Sequence, residues 1–258
     1  MSNPHSLTVV IVAKNEARNI GDCVRSAWFA DAVLVLDSNS SDSTAALARE
    51  AGAFVVTTDW PGYGPQVARG FGMASSDWVM SLDADERITE ALREEIVAAI
   101  GSGRHAGYRI PRLSEFCGRF IHHSGWRPDH TLRLARRDKA GFTDHFLHAH
   151  MTVEGSVADL ASPLIHFSYP DLHDVLEKLD RYSSGHARDM FVRGKRGGLG
   201  KAVVHGAMAF FRTYVLRLGF LDGQRGLMLA IYNAEYTYYK YLKLMFLQTP
   251  PQRPEFPR

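Results

Sequence analysis

At 258 residues the chain can bury one substantial core with a smaller appended unit, and 45% hydrophobic with 22% charged residues is ordinary for a globular protein. A net charge of +2 excludes the overall basicity of a nucleic-acid binder, and Cys23 and Cys117, far apart and without a C-x-x-C, exclude a disulfide framework and a zinc knuckle and fit a reducing compartment. Charge is unevenly placed: from Arg188 to Arg225 eight Lys/Arg face only Asp189 and Asp222, a local excess of six that leaves the remainder net acidic by four.

The opening MSNPHSLTVVIV lacks a basic n-region, and its apolar run is too short for a signal peptide, so it reads as a first strand. No uninterrupted apolar stretch reaches the 18 or so residues of a spanning helix. The expectation is a cytosolic chain, soluble or lying on a membrane surface. Leu7 to Val12 is β-branched, and Ile20, Cys23, Val24, Ala27 and Trp28 follow at helical spacing after the loop Ala13-Lys14-Asn15-Glu16. Ala32 to Leu36 is a second strand ending on Asp37, before a Ser/Asp cluster able to cap a helix over Thr44 to Ala51. Ala53 to Thr57 is a third strand, residues 61–65 a Pro/Gly turn, and Gln66 to Ala74 a helix carrying Arg69.

Trp78 to Leu82 reads as a strand buried on both faces, which leaves the sheet on Asp83 and Asp85. Side chains two apart on an extended backbone point the same way, so both carboxylates can be aimed at one divalent cation and the phosphates it neutralises. The plainer alternative is a polar turn, Asp83 to Glu86, before a helix opened by Thr89. Position favours the first, because ligands of open α/β sheets sit outside the carboxyl ends of the strands. Strands alternating with helices predict a mostly parallel sheet with right-handed crossovers.

Past Gly103 the pattern changes. Gly107 to Arg112, Thr131 to Arg136 and Leu164 to Phe167 read as strands, and Glu115 to His130 as a long polar and aromatic loop of the functional kind. Tyr169-Pro170 opens an amphipathic helix, which the glycine-rich basic stretch Arg193 to Gly198 breaks. Lys201 to Leu247 reads as two apolar helices, the second with a narrow polar stripe at Asn233, Thr237 and Lys240. That helix is expected either to pack on the rest of the chain or to lie on a membrane, with the basic cluster beside it drawn to anionic lipid.

Four elements in order and spacing, Leu7 to Val12 with Asn15-Glu16, Val35-Leu36-Asp37 with Ser41 to Thr44, Gln66 with Arg69, and Leu82 to Glu86, resemble the family-2 glycosyltransferases of GT-A fold. Farther on, Gly125 to Asp129, Leu132-Arg133-Leu134, His148 and Lys178 to Ser183 resemble the bacterial branch that adds glucose to the lipopolysaccharide inner core. The resemblance implies a Rossmann-like, mostly parallel α/β sheet flanked by helices. It divides the chain into a catalytic domain over 1–190, with a nucleotide-sugar half to about 105 and an acceptor half from 106, and a helical extension over 191–258. It further implies an inverting transfer from a nucleotide-diphospho-sugar, UDP-glucose first, to a lipopolysaccharide-core or related envelope glycan, with Mg²⁺ or Mn²⁺, at the inner face of the bacterial cytoplasmic membrane.

By the same resemblance Ala13, Asn15, Glu16, Asp37, Gln66, Arg69, Asp83, Ala84 and Asp85 would line the nucleotide-sugar site, with Glu16 and Asp37 on ribose and base and Arg69 near the diphosphate. Asp83 and Asp85, with His148 as a third ligand, would hold the metal; Trp126 and Arg133 would meet the acceptor. Asp129 would be the base, although it follows Pro128 where many relatives have an acidic neighbour. Other readings stand beside these. Asp37 can cap a helix, Arg69 can be a solvated helix residue, Asp129 a turn residue, and Arg133 can pair with an acidic side chain instead of an acceptor phosphate. Transfer to a lipid-linked phosphate, a D-x-D phosphohydrolase and a non-catalytic nucleotide-sugar-binding protein are the alternative functions.

Overall fold

The computed structural model describes residues 5–142 and 151–250, and its backbone contacts divide the chain into two units. Unit 1 comprises residues 1–113 and 128–167, and unit 2 residues 114–127 and 168–258. The boundary expected at 190 falls inside unit 2.

Unit 1 begins with strand β1 (Leu7–Ala13), helix α1 (Ile20–Ser26), β2 (Ala32–Asp37), α2 (Thr44–Glu50), β3 (Phe54–Thr57), α3 (Tyr63–Met73) and β4 (Trp78–Asp83). The four strands are parallel in the order β3-β2-β1-β4, as expected of strands separated by single helices. The apolar runs of β1, β2 and β4 are buried on both faces, while the edge strand β3 is half-exposed. Val9, Ile11, Val35, Met80 and Leu82 join a core with α1, while Val10, Leu36 and Val79 meet Val67 and Phe71 of α3 on the other side.

Helix α3 starts three residues earlier than its apolar pattern suggested, at Tyr63, because Pro65 falls in its first turn, where a missing N–H costs nothing. The short β5 (Glu86–Arg87) precedes α4 (Glu90–Ser102), which Thr89 opens as expected, its Oγ1 accepting from Leu92 N at 3.2 Å. Helix α4 closes on Gly103 at φ 58°.

Strand β6 (Gly107–Phe116) leaves unit 1 at Leu113, pairs with the two-residue β7 (Arg119–Phe120) in unit 2, and the chain re-enters unit 1 at β8 (His130–Arg136). β8 lies antiparallel to both β4 and β6. The hairpin of β9 (Ala140–Phe142) and β10 (Met151–Val153), β11 (Val157–Asp159) beside β6, and β12 (Leu164–Tyr169), antiparallel to β5, complete the strands.

Unit 2 is built on α5 (Leu172–Val192), α6 (Leu199–Phe211), a π-helical turn (Arg212–Leu216), a 3-10 turn (Gly219–Asp222) and α7 (Gly223–Gln248). The cap of α5 is Asp171, whose carboxylate accepts from Asp174 N at 3.0 Å, and not Tyr169-Pro170. Phe116, Ile121, Val175, Leu179, Leu229 and Tyr232 form its core, so α7 takes the packing alternative. The aromatic loop is pinned from below: Asp222 accepts from His122 N at 3.0 Å, His123 N at 3.1 Å and Ser124 Oγ at 2.8 Å. Among the described residues no helix is long and apolar enough to cross a membrane.

The α3 contact with the sheet leaves no room at Gly70, where a Cβ would lie 2.3 Å from Val10 Cγ1 and 3.2 Å from Leu36 Cδ1. Alanine gains about 1 kcal/mol in helix propensity over glycine, but overpacking between a helix and a filled sheet costs about 1–3 kcal/mol. Gly70→Ala is therefore expected to lower the urea midpoint of unfolding; an increase would mean that α3 stands farther from β1 than described.

Candidate active site

Sheet register brings the carboxyl ends of the four parallel strands into one row. Ala13 pairs with Asp37, Asp37 with Thr57, and Val12 with Asp83. The loop after β1 is tied to the loop after β2 by its own amides. Asn15, at φ 56° in the left-handed region that asparagine tolerates, donates its N–H to Ser40 Oγ at 2.9 Å and accepts Ser41 N on Oδ1 at 2.8 Å. Glu16 N donates to Thr44 Oγ1 at 2.7 Å, and Glu16 Oε2 accepts from Asn19 Nδ2 at 2.9 Å.

Asp37 is 3% exposed. Its Oδ2 accepts from Ser40 N at 3.3 Å, so it braces its own loop and does not cap α2, whose N-cap is Ser43. Its Oδ1 is buried and has no hydrogen-bond partner among the described residues. Leaving such an atom unpaired costs about 1–3 kcal/mol, which a donor on a bound ligand would recover. Gln66 is fully buried. Its Nε2 donates to Ser38 Oγ at 3.1 Å and Thr58 Oγ1 at 2.5 Å, while Oε1 accepts from Arg69 Nη1 at 3.0 Å. Arg69 also pairs with Asp59 at 2.8 Å. Both residues brace the loop after β3 at the edge of the row.

At the end of β4 the two aspartates have different partners. Asp83 accepts from Tyr63 Oη at 2.5 Å and from Arg133 Nη2 at 2.5 Å. Arg133, 6% exposed, also donates to Glu86 Oε1 at 2.7 Å, and Glu86 Oε2 accepts from Asp83 N at 3.0 Å. Of the two roles open to it, Arg133 therefore has the pairing role here. Asp85 turns the other way: its Oδ2 lies 3.4 Å from His166 Nε2 on β12, and its carbonyl accepts from Phe167 N at 2.9 Å. Ala84 between them is buried.

Burial raises the Glu86 carboxyl above its ordinary value, and Arg133 offsets that only in part because Asp83 shares the same guanidinium. Burial acts on Asp83 in the same sense but is outweighed by Arg133 and the Tyr63 phenol, which hold it below its ordinary value. Burial also pushes the Tyr63 phenol upward, so it stays a donor.

Asp129, just before β8, is paired with Arg112 of β6, whose Nε and Nη2 lie 2.9 and 2.7 Å from the same oxygen, Oδ2. Neither contact uses Oδ1. Trp126 belongs to unit 2, where it meets Phe116 edge-to-face and Tyr169 at a tilt, at 5.9 and 5.8 Å between ring centroids. His148, with His145 and His150, lies outside the described residues.

The residues that sequence reasoning passed over are Tyr63, Glu86, Arg112 and His166. Glu86 had a signal, as the third acid of the Leu82 to Glu86 motif; His166 had none, since only the antiparallel pairing of β12 with β5 brings it to Asp85. Asp85 and His166, 3.4 Å apart, carry the chemistry that suits a divalent cation. Both are suitable donors, and Mg²⁺ or Mn²⁺ needs only one or two protein ligands when substrate phosphates and water supply the others. Among the described residues no set of three such ligands converges.

The family model described as glycosyl transferase family 2 matches residues 8–154, more than half of the chain. An uncharacterised glycosyltransferase of Rickettsia felis is 27% identical over 239 residues, 85% of this chain and 82% of that protein. The lipopolysaccharide core biosynthesis glycosyltransferase LpsC of Rhizobium meliloti is 28% identical over 252 residues, 91% of this chain and 93% of that one. Among solved structures, glucosyl-3-phosphoglycerate synthase from Mycobacterium tuberculosis, in complex with Mn²⁺, UDP and glucosyl-3-phosphoglycerate, aligns at 25% identity and a TM-score of 0.38, covering 43% of this chain and 45% of that one.

The paired carboxylates give a pH signature. Glu86 is raised above 4.5, so the folded chain holds its proton more tightly than the unfolded one; its contribution is whole below about pH 4.5 and is lost as pH rises through the folded value. Asp83, lowered from 3.8, contributes above that pH and loses its contribution as pH falls through its folded value. Glu86→Gln loses one acceptor, about 1 kcal/mol, and abolishes the first titration. The unfolding free energy of the wild type minus that of E86Q is expected to fall as pH rises from 4.5 to 7. A flat or rising difference would mean that Glu86 is ionised with no strain.

Proposed function

Because this chain belongs to glycosyl transferase family 2, we propose that it moves a hexose, glucose first, from a uridine-diphosphate donor to a hydroxyl of a lipopolysaccharide-core or related envelope glycan, with inversion at the anomeric carbon. The observation that carries the reading is the register that sets Asp37 and the Asp83 to Asp85 turn at the carboxyl ends of the two parallel strands that flank β1, where an open α/β sheet binds its ligand.

Asp37 Oδ1 is the acceptor for a nucleoside N–H or O–H, and the loops after β1 and β2 hold the nucleoside between them. Asp85 and His166 would hold the divalent cation. When bound, it neutralises charge that develops on the diphosphate as the sugar leaves. Asp83 is already neutralised by Arg133, and its part is to fix the turn through Tyr63 and Glu86. An acceptor hydroxyl attacks the anomeric carbon from the face opposite the diphosphate and gives its proton to Asp129 Oδ1, while the bond to the phosphate oxygen breaks with its electron pair. Arg112 holds Asp129 through Oδ2 and keeps Oδ1 turned to the task. The 28% identity to a lipopolysaccharide core biosynthesis glycosyltransferase over nine-tenths of the chain supports an envelope acceptor. The excess of basic residues between Arg188 and Arg225 supports a place at an anionic membrane surface.

Three variants separate these roles. Asp37→Ala is expected to weaken binding of free UDP in calorimetry whether or not metal is present. Asp85→Ala is expected to weaken UDP-glucose binding only when Mg²⁺ or Mn²⁺ is present; unchanged metal-dependent affinity would remove Asp85 from the cation. Asp129→Asn nearly keeps the shape but cannot take the proton, so donor affinity should survive while transfer falls about 10²- to 10⁴-fold. Near wild-type transfer by D129N would place the base elsewhere.

A further inference from the structure

Helix α6 is packed the wrong way round for a helix in water. The residues it turns inward are small: Ala202 and Gly206 are buried, and a Cβ on Gly206 would lie 3.2 Å from the Ala234 carbonyl of α7. The residues it leaves exposed are large and apolar, Val203, Val204, Met208 and Phe211, continued by Val215 and Leu216 of the π turn. Water-exposed helices bury the large side chains and expose the polar ones. Close approach through small residues with bulky residues outward is the packing used where the surroundings are lipid.

Beside that face, α6, the π turn and α7 enclose a groove of about 460 Å³. Its floor is the polar stripe Asn233, Thr237 and Lys240 of α7, and its rim carries His205, Arg212 and Arg217. No carboxylate lines it, and among the described residues none pairs with Arg212, Arg217 or Lys240. Lys240 is half-buried between Tyr236 and Tyr241, 5.3 and 5.5 Å from the ring centroids, and burial lowers its pKa. A cation held so, with two arginines beside it and no counter-ion, is stabilised by a bound anion. The wall is a π-helical turn, a feature that recurs at functional sites.

We propose that this groove seats the phosphate of an anionic membrane lipid, with the lipid's acyl chains along the outward apolar face of α6. Charge complementarity selects the phosphate, and the continuity of the groove with the exposed Met208 and Leu216 selects a lipid over a free anion. The site deepens the membrane part of the reading above and is independent of the transfer chemistry.

The test is co-sedimentation of the full chain with vesicles of phosphatidylcholine and phosphatidylglycerol in equal parts, against phosphatidylcholine alone. The groove pair R212Q/K240M is compared with R193Q/R196Q, which removes the same charge from the exposed loop before α6. A diffuse field takes about fivefold in affinity per cation from either pair alike; a seat makes the loss in the groove pair at least about tenfold the larger. Arg212 is exposed and methionine keeps the Lys240 stem, so the fold survives, which an unshifted melting temperature of R212Q/K240M verifies.

Dihexanoyl-phosphatidic acid below its micellar concentration is expected to raise the melting temperature of the wild type and not of R212Q/K240M, and inorganic phosphate at the same concentration to raise it much less. Equal losses in the two pairs overturn the seat and leave a diffuse basic surface. Equal stabilisation by inorganic phosphate overturns the lipid as its source. No binding to anionic vesicles at all overturns both the seat and the membrane placement. In each case UDP-glucose binding by the same preparations is unaffected, and its loss would instead indict the catalytic reading.

Discussion

One buried guanidinium organises the catalytic face. Arg133 reaches from β8 to Asp83 at the end of β4, to Glu86 at the start of β5 and to Tyr63 at the start of α3, so four elements meet on one side chain with 6% exposure. Removing the guanidinium from such a buried set leaves carboxylates without a counter-ion and costs about 3–5 kcal/mol. The set is not there to stabilise the fold cheaply, since apolar residues of the same volume often do as well. What it does is fix a direction: Asp83 and Glu86 both turn to Arg133, while Asp85 faces His166.

Division of labour among the acids follows from that geometry. A D-x-D pair invites the idea of two equivalent ligands on one cation, but pairing makes the two unlike, although both are partly exposed. Asp83 is held by a guanidinium and a phenol, whereas Asp85 faces an imidazole. Asp37, two strands further along the row, differs again, being enclosed with one oxygen left without a donor among the described residues. The same residue type thus stands in three different environments along the row, each set by what surrounds it.

How much of this was legible in the sequence depends on range. β1, β2 and β4 were readable because strands buried on both faces are continuous apolar runs, and the row of loop residues after them followed from strand–helix alternation. Even the polar stripe Asn233, Thr237 and Lys240 was visible as a period, although its place as a groove floor needed α6 beside it. β5, β7 and β11, two or three residues each, were not, because a period cannot be read over so few positions. Nor was the interleaving of units, since residues 114–127 were visible as a polar and aromatic loop but not as a segment that joins the helices of the other unit. His166 and Arg112 belong to the same class: each reaches its carboxylate through strand pairing between segments distant in sequence, which no local pattern encodes.

The central claim is that the strand-end row binds a nucleotide sugar and breaks its bond from anomeric carbon to phosphate oxygen with the help of a divalent cation. Phosphorus NMR of the full chain with UDP-glucose, in Mg²⁺ or Mn²⁺ and again after chelation, reads that bond directly. The account predicts that UDP appears as the sole phosphorus product when metal is present, slowly with water as acceptor, and that chelation stops it. Release of inorganic phosphate, or UDP formation indifferent to chelation, would contradict it.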